Sequence, residues 1–251
     1  MPTVARGRTY ADQTINDPNL LKRWIQRHRL SDALQILRDA NPSGGFEVLD
    51  FGGGDGQLLL QCLEAYPGLR VCLYEPTAGM RREAEEKLSR SGNVQIVADL
   101  GDLTERKFDL IFCLEVFEHL PEKETTEAIA AIHGLTRPRG QAVIGVPHEI
   151  FLPALVKGGF RMVRRFGSFD GNPVNVIRAA LGRPPITRPK KEITPGFFYY
   201  RHHVGFDHRN LERSLRGKFE IVSRWFSPLR VLGKVFNSEV YYLLRPRHPV
   251  T

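Results

Sequence analysis

The sequence has no apolar run near the roughly 20 residues that a membrane-spanning helix needs. Its first residues, MPTVARGRTYADQ, lack the apolar centre of a secretory signal, so we expect a cytoplasmic protein. Only three cysteines are present, Cys62, Cys72 and Cys113, and all fall within apolar segments. Three cysteines, an odd number, within apolar segments argue against a disulfide framework or a cysteine metal site. They predict buried, reduced thiols.

The chain has 251 residues, 41% of them hydrophobic and 25% charged, which fits one α/β domain with an accessory element. Its charge is unevenly distributed. Residues 151–251 hold 19 Lys and Arg against 6 Asp and Glu, whereas residues 1–150 hold 17 against 22. This asymmetry indicates either an anionic partner (a phospholipid surface, a phosphorylated small molecule or nucleic acid) or a solvated basic face.

Hydrophobic patterning divides this single domain into four parts. Residues 1–45 have helical spacing and predict two helices, and residues 46–147 alternate apolar strands with amphipathic helices. Such alternation predicts a parallel sheet covered by helices on both faces. Residues 148–205 have little regular period and predict an inserted cap, and residues 206–251 predict a closing helix and two strands.

A glycine-rich turn follows the first predicted strand, in VLDFGGGDGQ. Asp50, Gly52, Gly54 and Gly56 lead directly into a helix, where glycine lets the chain turn sharply and a ligand approach the backbone. The dinucleotide pattern would need a glycine where Gln57 stands, which argues against a nicotinamide dehydrogenase. Glu75, at the end of the second predicted strand, is placed to bind ribose hydroxyls.

The motifs VLDFGGGDG, LYEP, VADL, FDLIFCLEVFEHL and LTRPRGQAVIGVP resemble, in order and spacing, those of class I S-adenosylmethionine-dependent methyltransferases, over residues 46–147. The EVFEHL segment is similar to the branch that includes ubiquinone-biosynthesis and other small-molecule O-methyltransferases. The resemblance implies a Rossmann-like sheet of seven mostly parallel strands, with the last one antiparallel and SEVYYLLRP inside the sheet. It also implies that S-adenosyl-L-methionine is the cofactor.

The resemblance further implies a role for each matching residue. Asp50 would hold the turn or the methionine ammonium, Gly52 and Gly54 would admit the cofactor, and Glu75 would bind its ribose. Asp99 would accept a hydrogen bond from the adenine amino group, with Asp102 as the alternative. The remaining implied cofactor residues are Gly56 in the turn, Leu100 beside the adenine, and Leu114 and Glu115 beside the methionine portion.

Methylation of a hydroxyl needs a base, and histidine is the side chain most readily poised for that near neutral pH. The candidates are His148, which directly follows the fifth predicted strand, then His203, then His119; a packing or capping role is the alternative for each. His202, His203 and His208 have no ligand spacing around them that predicts a metal site. We therefore expect no metal.

The predicted cap contains FLPALVKGGFRMVRRFGSF, which mixes apolar residues with cations. Such a segment can lie on an anionic membrane surface, or it can cover an active site as a cap helix. The favoured function is O-methylation of a small-molecule or lipid-like acceptor, with peripheral contact to an anionic membrane. The alternatives are a nucleic-acid (RNA) methyltransferase using the basic surface, ranked lower for lack of a matching motif, and a non-catalytic interaction protein. The sequence assigns no oligomeric state.

Overall fold

A computed structural model describes residues 20–194, 197–229, 233 and 237–247. The strands are β1 (Glu47–Phe51), β2 (Arg70–Tyr74), β3 (Val94–Val97), β4 (Phe108–Leu114), β5 (Thr136–Pro147), β6 (Lys190–Thr194), β7 (Phe197–Tyr200), β8 (Phe219–Ser227) and β9 (Glu239–Pro246). The α-helices are α1 (Leu20–Asp39), α2 (Gln57–Ala65), α3 (Ala78–Leu88), α4 (Glu122–Leu135), α5 (Leu152–Arg165), α6 (Pro173–Ala180) and α7 (His208–Arg216).

Seven of these strands form one sheet in the order β3-β2-β1-β4-β5-β9-β8, and β6 and β7 form a separate hairpin. β1 runs parallel to β2 and β4, and β2 runs parallel to β3. β9 runs antiparallel to both of its neighbours, β5 and β8. The predicted Rossmann-like sheet is therefore confirmed, and SEVYYLLRP lies inside it as the antiparallel strand.

The chain divides into two compact units, one ending at Phe112 and the other beginning at Cys113. In the first unit, β1 and β2 have buried side chains on both faces, as strands covered by helices on two sides require. Their register aligns Asp50 with Leu73 and Phe51 with Tyr74, so both strands end at the same edge. That edge carries the glycine turn and Glu75.

The prediction of two N-terminal helices was wrong where the structure describes that segment, because α1 is one continuous helix of 20 residues. No glycine or proline lies between Leu20 and Asp39, so nothing in the backbone forces a break at the gap in apolar spacing. The helix ends at Asp39, and Asn41 has a φ of 48° before Pro42. The predicted stop in NPSGG was therefore correct, whereas residues 1–19 lie outside the described part of the chain.

In the second unit, the segment after β5 lies outside the central sheet, as expected of an insertion, but it is more regular than its sequence indicated. It contains α5, α6 and the β6–β7 hairpin. Gly158 of α5 packs so closely on α6 that an added Cβ would come within 2.3 Å of Val176 Cγ1. The regular structure of this segment therefore depends on packing between its helices, and the proline-rich sequence does not show it as a clear period.

The three cysteines are buried and form no disulfide, as predicted. Burial raises the pKa of Cys62 to about 12 and that of Cys72 to about 11, so both remain protonated thiols. Among the described residues, no helix combines the length and apolar character needed to cross a bilayer.

Candidate functional site

The glycine turn in the first unit bends the chain from β1 into α2 through three left-handed backbone conformations. Gly52, Gly54 and Gly56 have φ values of 74°, 57° and 73°, a region that residues with a side chain rarely adopt. Gly52 N donates to Tyr74 O at 2.7 Å and thereby ties the turn to the end of β2. Around Gly54, a Cβ would meet no atom within 4 Å, so the backbone faces open space.

Glu75 is held in a fixed position immediately after β2. Its Oε2 accepts a hydrogen bond from Gly54 N at 3.1 Å, and its Oε1 accepts one from Thr77 N at 2.7 Å. The residue is 7% exposed. Because each carboxylate oxygen has two lone pairs, both oxygens keep acceptor capacity for a ligand hydroxyl.

Asp50 is 3% exposed and lies against the turn. A Cβ on Gly53 would come within 2.3 Å of Asp50 Oδ2 and of Leu73 Cδ1, so position 53 requires glycine for steric reasons. Burial, together with the nearby Glu75 and Asp55 carboxylates, raises the pKa of Asp50 to about 8. Asp50 thus lies in a site that favours either a proton or a bound cation.

An ion pair that the sequence did not indicate fixes the far side of the turn. The buried Asp55 carboxylate pairs with Lys87 at the end of α3, and Lys87 Nζ also donates to Gln57 Oε1 at 3.1 Å. Asp55 and Lys87 are 32 residues apart, and no local pattern relates them. The pair links the first residues of α2 to α3, which holds the turn from both ends.

Asp99 and Leu100 begin the short 3-10 helix Leu100–Leu103 after β3. Asp99 caps this helix, because its Oδ1 accepts a hydrogen bond from Gly101 N at 2.7 Å. The Asp99 side chain is exposed, and so is that of Asp102 within the helix. Both carboxylates remain candidates for the adenine amino group, and Asp99 has the better defined orientation.

In the second unit, Leu114 is the last residue of β4, and Glu115 follows it in a constrained backbone. Glu115 has a φ of 57°, unusual for a residue with a side chain, and its N–H donates to Gly145 O at 2.8 Å. A Cβ on Gly145 would lie 2.8 Å from Leu114 Cδ2 and 2.7 Å from Tyr241 Cε1. The close approach explains why this part of β5 has glycine.

His119 and His203, 84 positions apart in the sequence, form a pair with ring centroids 4.9 Å apart. His119 Nδ1 lies 2.7 Å from Tyr200 O, and since a carbonyl oxygen only accepts, Nδ1 carries the proton and Nε2 holds the lone pair of the neutral ring. Nε2 lies 3.7 Å from Glu118 Oε1. Burial lowers the pKa of His119, and Arg188 lowers it further.

His203 is also neutral near pH 7, because burial and the nearby Lys157 and Arg161 together lower its pKa to about 3. Both rings stay accessible: the His203 side chain is 28% exposed and that of His119 is 32% exposed. The ligand atoms of Glu118, His119 and His203 lie within 4.8 Å of one another, so one metal ion could contact all three. Sequence spacing did not reveal this convergence.

His148, the first candidate from the sequence, is fully buried, with 0% exposure. Its ring lies 5.0 Å from that of His208 and 5.5 Å from that of Phe226. Burial and the neighbouring His208 together lower its pKa to about 4. These surroundings favour the packing role that was the alternative reading for this residue.

Glu149 is the centre of an ionic network that the sequence analysis did not predict. The residue is 1% exposed, and its carboxylate accepts from Lys157 Nζ at 3.0 Å and from Arg161 NH1 at 2.9 Å and NH2 at 3.0 Å. The two cations hold its pKa well below the usual range against the opposing effect of burial. His203 Nδ1 lies 4.0 Å from the same carboxylate.

The sheet order, the glycine turn and the acid after β2 define a class I methyltransferase fold. Residues 49–142 match the family model described as a methyltransferase domain. An uncharacterised methyltransferase of Geobacillus kaustophilus is 35% identical over 114 residues, 43% of this chain and 50% of that protein. The mitomycin biosynthesis 6-O-methyltransferase of Streptomyces lavendulae is 36% identical over 94 residues, 36% of this chain and 26% of that protein.

The chain thus spans half or less of these curated relatives. Among solved structures, the N-methyltransferase NodS of Bradyrhizobium japonicum with S-adenosyl-L-homocysteine shares the fold, with a TM-score of 0.58 and 14% identity over 97% of this chain and 94% of that chain. Residues 49–142 thus match a methyltransferase domain, and the chain shares the fold of a methyltransferase solved with S-adenosyl-L-homocysteine, in agreement with what its motifs predicted.

The described residues of the first unit fit S-adenosylmethionine. Gly54 offers backbone that faces open space, and Glu75 offers acceptors for the ribose hydroxyls. Asp50, a buried acid among other carboxylates, gains from a cationic neighbour, and the cofactor carries a sulfonium and an ammonium. These three residues would hold the cofactor.

Proposed function

We propose that this protein transfers a methyl group from S-adenosylmethionine to an oxygen atom of a small-molecule or lipid-like acceptor, with His119 as the base. One observation carries the assignment of the base. His119 is accessible, neutral and locked by Tyr200 O in the tautomer whose Nε2 accepts a proton. His148 Nδ1 also lies 3.3 Å from a carbonyl oxygen, that of Asn237, but its ring is fully buried, whereas the His119 side chain is 32% exposed.

When bound, S-adenosylmethionine supplies an electrophilic methyl group, and the thioether that remains is neutral, so that side of the reaction needs no acid. His119 Nε2 would accept the proton of the acceptor hydroxyl, and the bound cofactor would supply the methyl group that replaces it. The Glu118 carboxyl, 3.7 Å from Nε2, is placed to stabilise the resulting imidazolium. Such proton transfer contributes about 10²- to 10⁴-fold to the rate.

Two observations support the acceptor class. The relative from Streptomyces lavendulae is named as an O-methyltransferase of mitomycin biosynthesis, a pathway to a small molecule. The second unit also presents many exposed apolar side chains on α5, α6 and the loop after them, such as Phe160 at 65% and Leu181 at 71% exposure. An apolar acceptor would partition to such a surface.

The first experiment incubates the purified protein with methyl-labelled cofactor and a cell extract, then separates organic-soluble, aqueous small-molecule and macromolecular fractions. Label in the organic or small-molecule fraction, released by treatments that cleave methyl ethers or esters, is the expected result. Label confined to nuclease-sensitive material would overturn the acceptor class and favour the basic surface as a nucleic-acid site. Absence of cofactor binding by calorimetry would overturn catalysis itself.

Once an acceptor fraction is found, the variants His119→Ala and His119→Gln test whether His119 is the base. The control is their affinity for the cofactor, which should be unchanged. We expect kcat to fall by about 100-fold or more in both. His148→Ala, checked for folding, should retain turnover because its ring is inaccessible. A loss of wild-type activity on chelation that a divalent cation restores would reassign His119 from base to metal ligand, together with Glu118 and His203.

A further inference from the structure

Helix α5 is amphipathic, and its apolar face points outward. Leu152, Leu155, Val156, Phe160 and Val163 recur at the spacing of one helix face, and all are exposed, Phe160 at 65% and Val163 at 88%. A helix of a water-soluble protein normally buries such a stripe. Phe166, just past the helix, is 77% exposed as well.

The opposite face of α5 carries the charges, and buried ion pairs fix it inward. Lys157 and Arg161 bind the Glu149 carboxylate, and Arg165 NH2 donates to Asp170 Oδ2 at 2.5 Å. Glu149 and Asp170 are 1% and 2% exposed. Rotating the helix to bury its apolar stripe would leave two buried carboxylates without counter-ions, which is strongly unfavourable. The ion pairs therefore hold the apolar face of α5 outward.

The apolar surface continues onto α6, which packs against α5 at Gly158. Val174, Ile177 and Leu181 follow helical spacing and are exposed at 62%, 55% and 71%, and Ile186 in the next loop is exposed at 92%. Val176 and Ala179, on the opposite side of α6, are buried. Two helices that pack on each other thus each leave an apolar side exposed.

The charge around this surface has one sign. Residues 151–191, all of which the structure describes, hold nine Lys and Arg and one carboxylate, the buried Asp170. Arg164, Arg178 and Arg183 are exposed between the apolar side chains. The exposed apolar residues of α5, α6 and their loops, with these arginines, are called the apolar-basic surface below.

We propose that the apolar-basic surface is a membrane-docking site that lies on an anionic phospholipid bilayer, with its apolar side chains entering the interface and its arginines meeting the head groups. A second copy of the chain is a poorer occupant, because pairing two such surfaces would bring cations against cations. No described helix is able to span the bilayer, so docking is interfacial.

The test is flotation of the purified full chain with vesicles of phosphatidylcholine alone or with about one third phosphatidylglycerol. We expect binding to the anionic vesicles that weakens as salt is raised, and little binding to the neutral ones. Replacing Phe160→Gln together with Val163→Gln should reduce the partition coefficient about tenfold or more. Arg164→Gln with Arg178→Gln should reduce binding to anionic vesicles specifically.

Val222→Gln is the matched control, since Val222 is an apolar residue on β8 with 39% exposure, outside the apolar-basic surface. All variants are checked for unchanged thermal unfolding, which is expected because the replaced side chains are exposed. Equal binding of wild type and the Phe160→Gln, Val163→Gln variant would overturn the proposal. A second result would also overturn it: the wild type binds no vesicles but forms a concentration-dependent dimer in sedimentation, and the same variant abolishes that dimer. The assay needs neither cofactor nor acceptor, so its outcome is independent of the proposed methyl transfer.

Discussion

The raised pKa of Asp50 makes a quantitative prediction about stability. Asp50 titrates near 3.8 in a solvated chain, and burial, Glu75 and Asp55 raise its pKa to about 8 in the folded protein. Between these values the folded state holds a proton that the unfolded state has lost. The free energy of unfolding therefore falls as pH rises through this window, by about 1.4 kcal/mol per pH unit, and the loss is complete above the folded pKa.

Asp50→Asn removes this dependence, because the amide matches the shape of the neutral acid and does not titrate. The buried His148 and His208, whose pKa values are lowered to about 4, affect the pH profile only below their unfolded value of about 6.5. Between pH about 6.5 and about 8, wild type should therefore lose about 2 kcal/mol relative to Asp50→Asn. Urea unfolding at several pH values within this window measures the difference.

Parallel pH profiles for the two proteins would refute the reasoning, because they would mean that Asp50 is already ionised when folded. Calorimetry with S-adenosylmethionine gives an independent readout. A cationic ligand favours the carboxylate, so binding to wild type should release a proton and strengthen as pH rises towards 8. In Asp50→Asn this part of the pH dependence should vanish, and the affinity at high pH should be lower than in wild type.

Three further predictions concern glycines and the buried ion pairs. Gly54→Ala and Gly45→Ala both place a side chain at positive φ with no atom within 4 Å, so each should cost about 1 kcal/mol of stability. Only Gly54→Ala should weaken cofactor binding, by about tenfold or more in calorimetry. Glu149→Gln should lower the unfolding free energy by about 3 kcal/mol, because it removes the buried charge that pairs with two partly buried cations, whereas Glu212→Gln, which loses surface pairs, should cost about 1 kcal/mol or less; equal costs would contradict the network. Gly145→Ala should cost about 1–3 kcal/mol by thermal unfolding, since its Cβ would come within 2.7 Å of the Tyr241 ring, and an unchanged midpoint would refute the close packing.

Most of the central sheet was predictable because each strand has a local signature. EVLDF, RVCLY and FDLIFCL are apolar runs of strand length bounded by turns, and the helices between them are amphipathic. The helices and hairpin after β5 were not predictable in the same way. Their order comes from contacts such as Gly158 against Val176, which join residues distant in sequence.

The sequence by itself determined the glycine turn and the strand-end acid of the first unit. A sharp turn at Gly52–Gly54–Gly56 and an acid after the next strand depend on backbone conformation and strand length, which neighbouring residues set. Only the tertiary structure decided the rest. It brought His119 and His203 together, buried His148, and turned the charged face of α5 towards Glu149 and Asp170. Those choices follow from burial and charge pairing between distant segments, and a local pattern of residues does not contain that information.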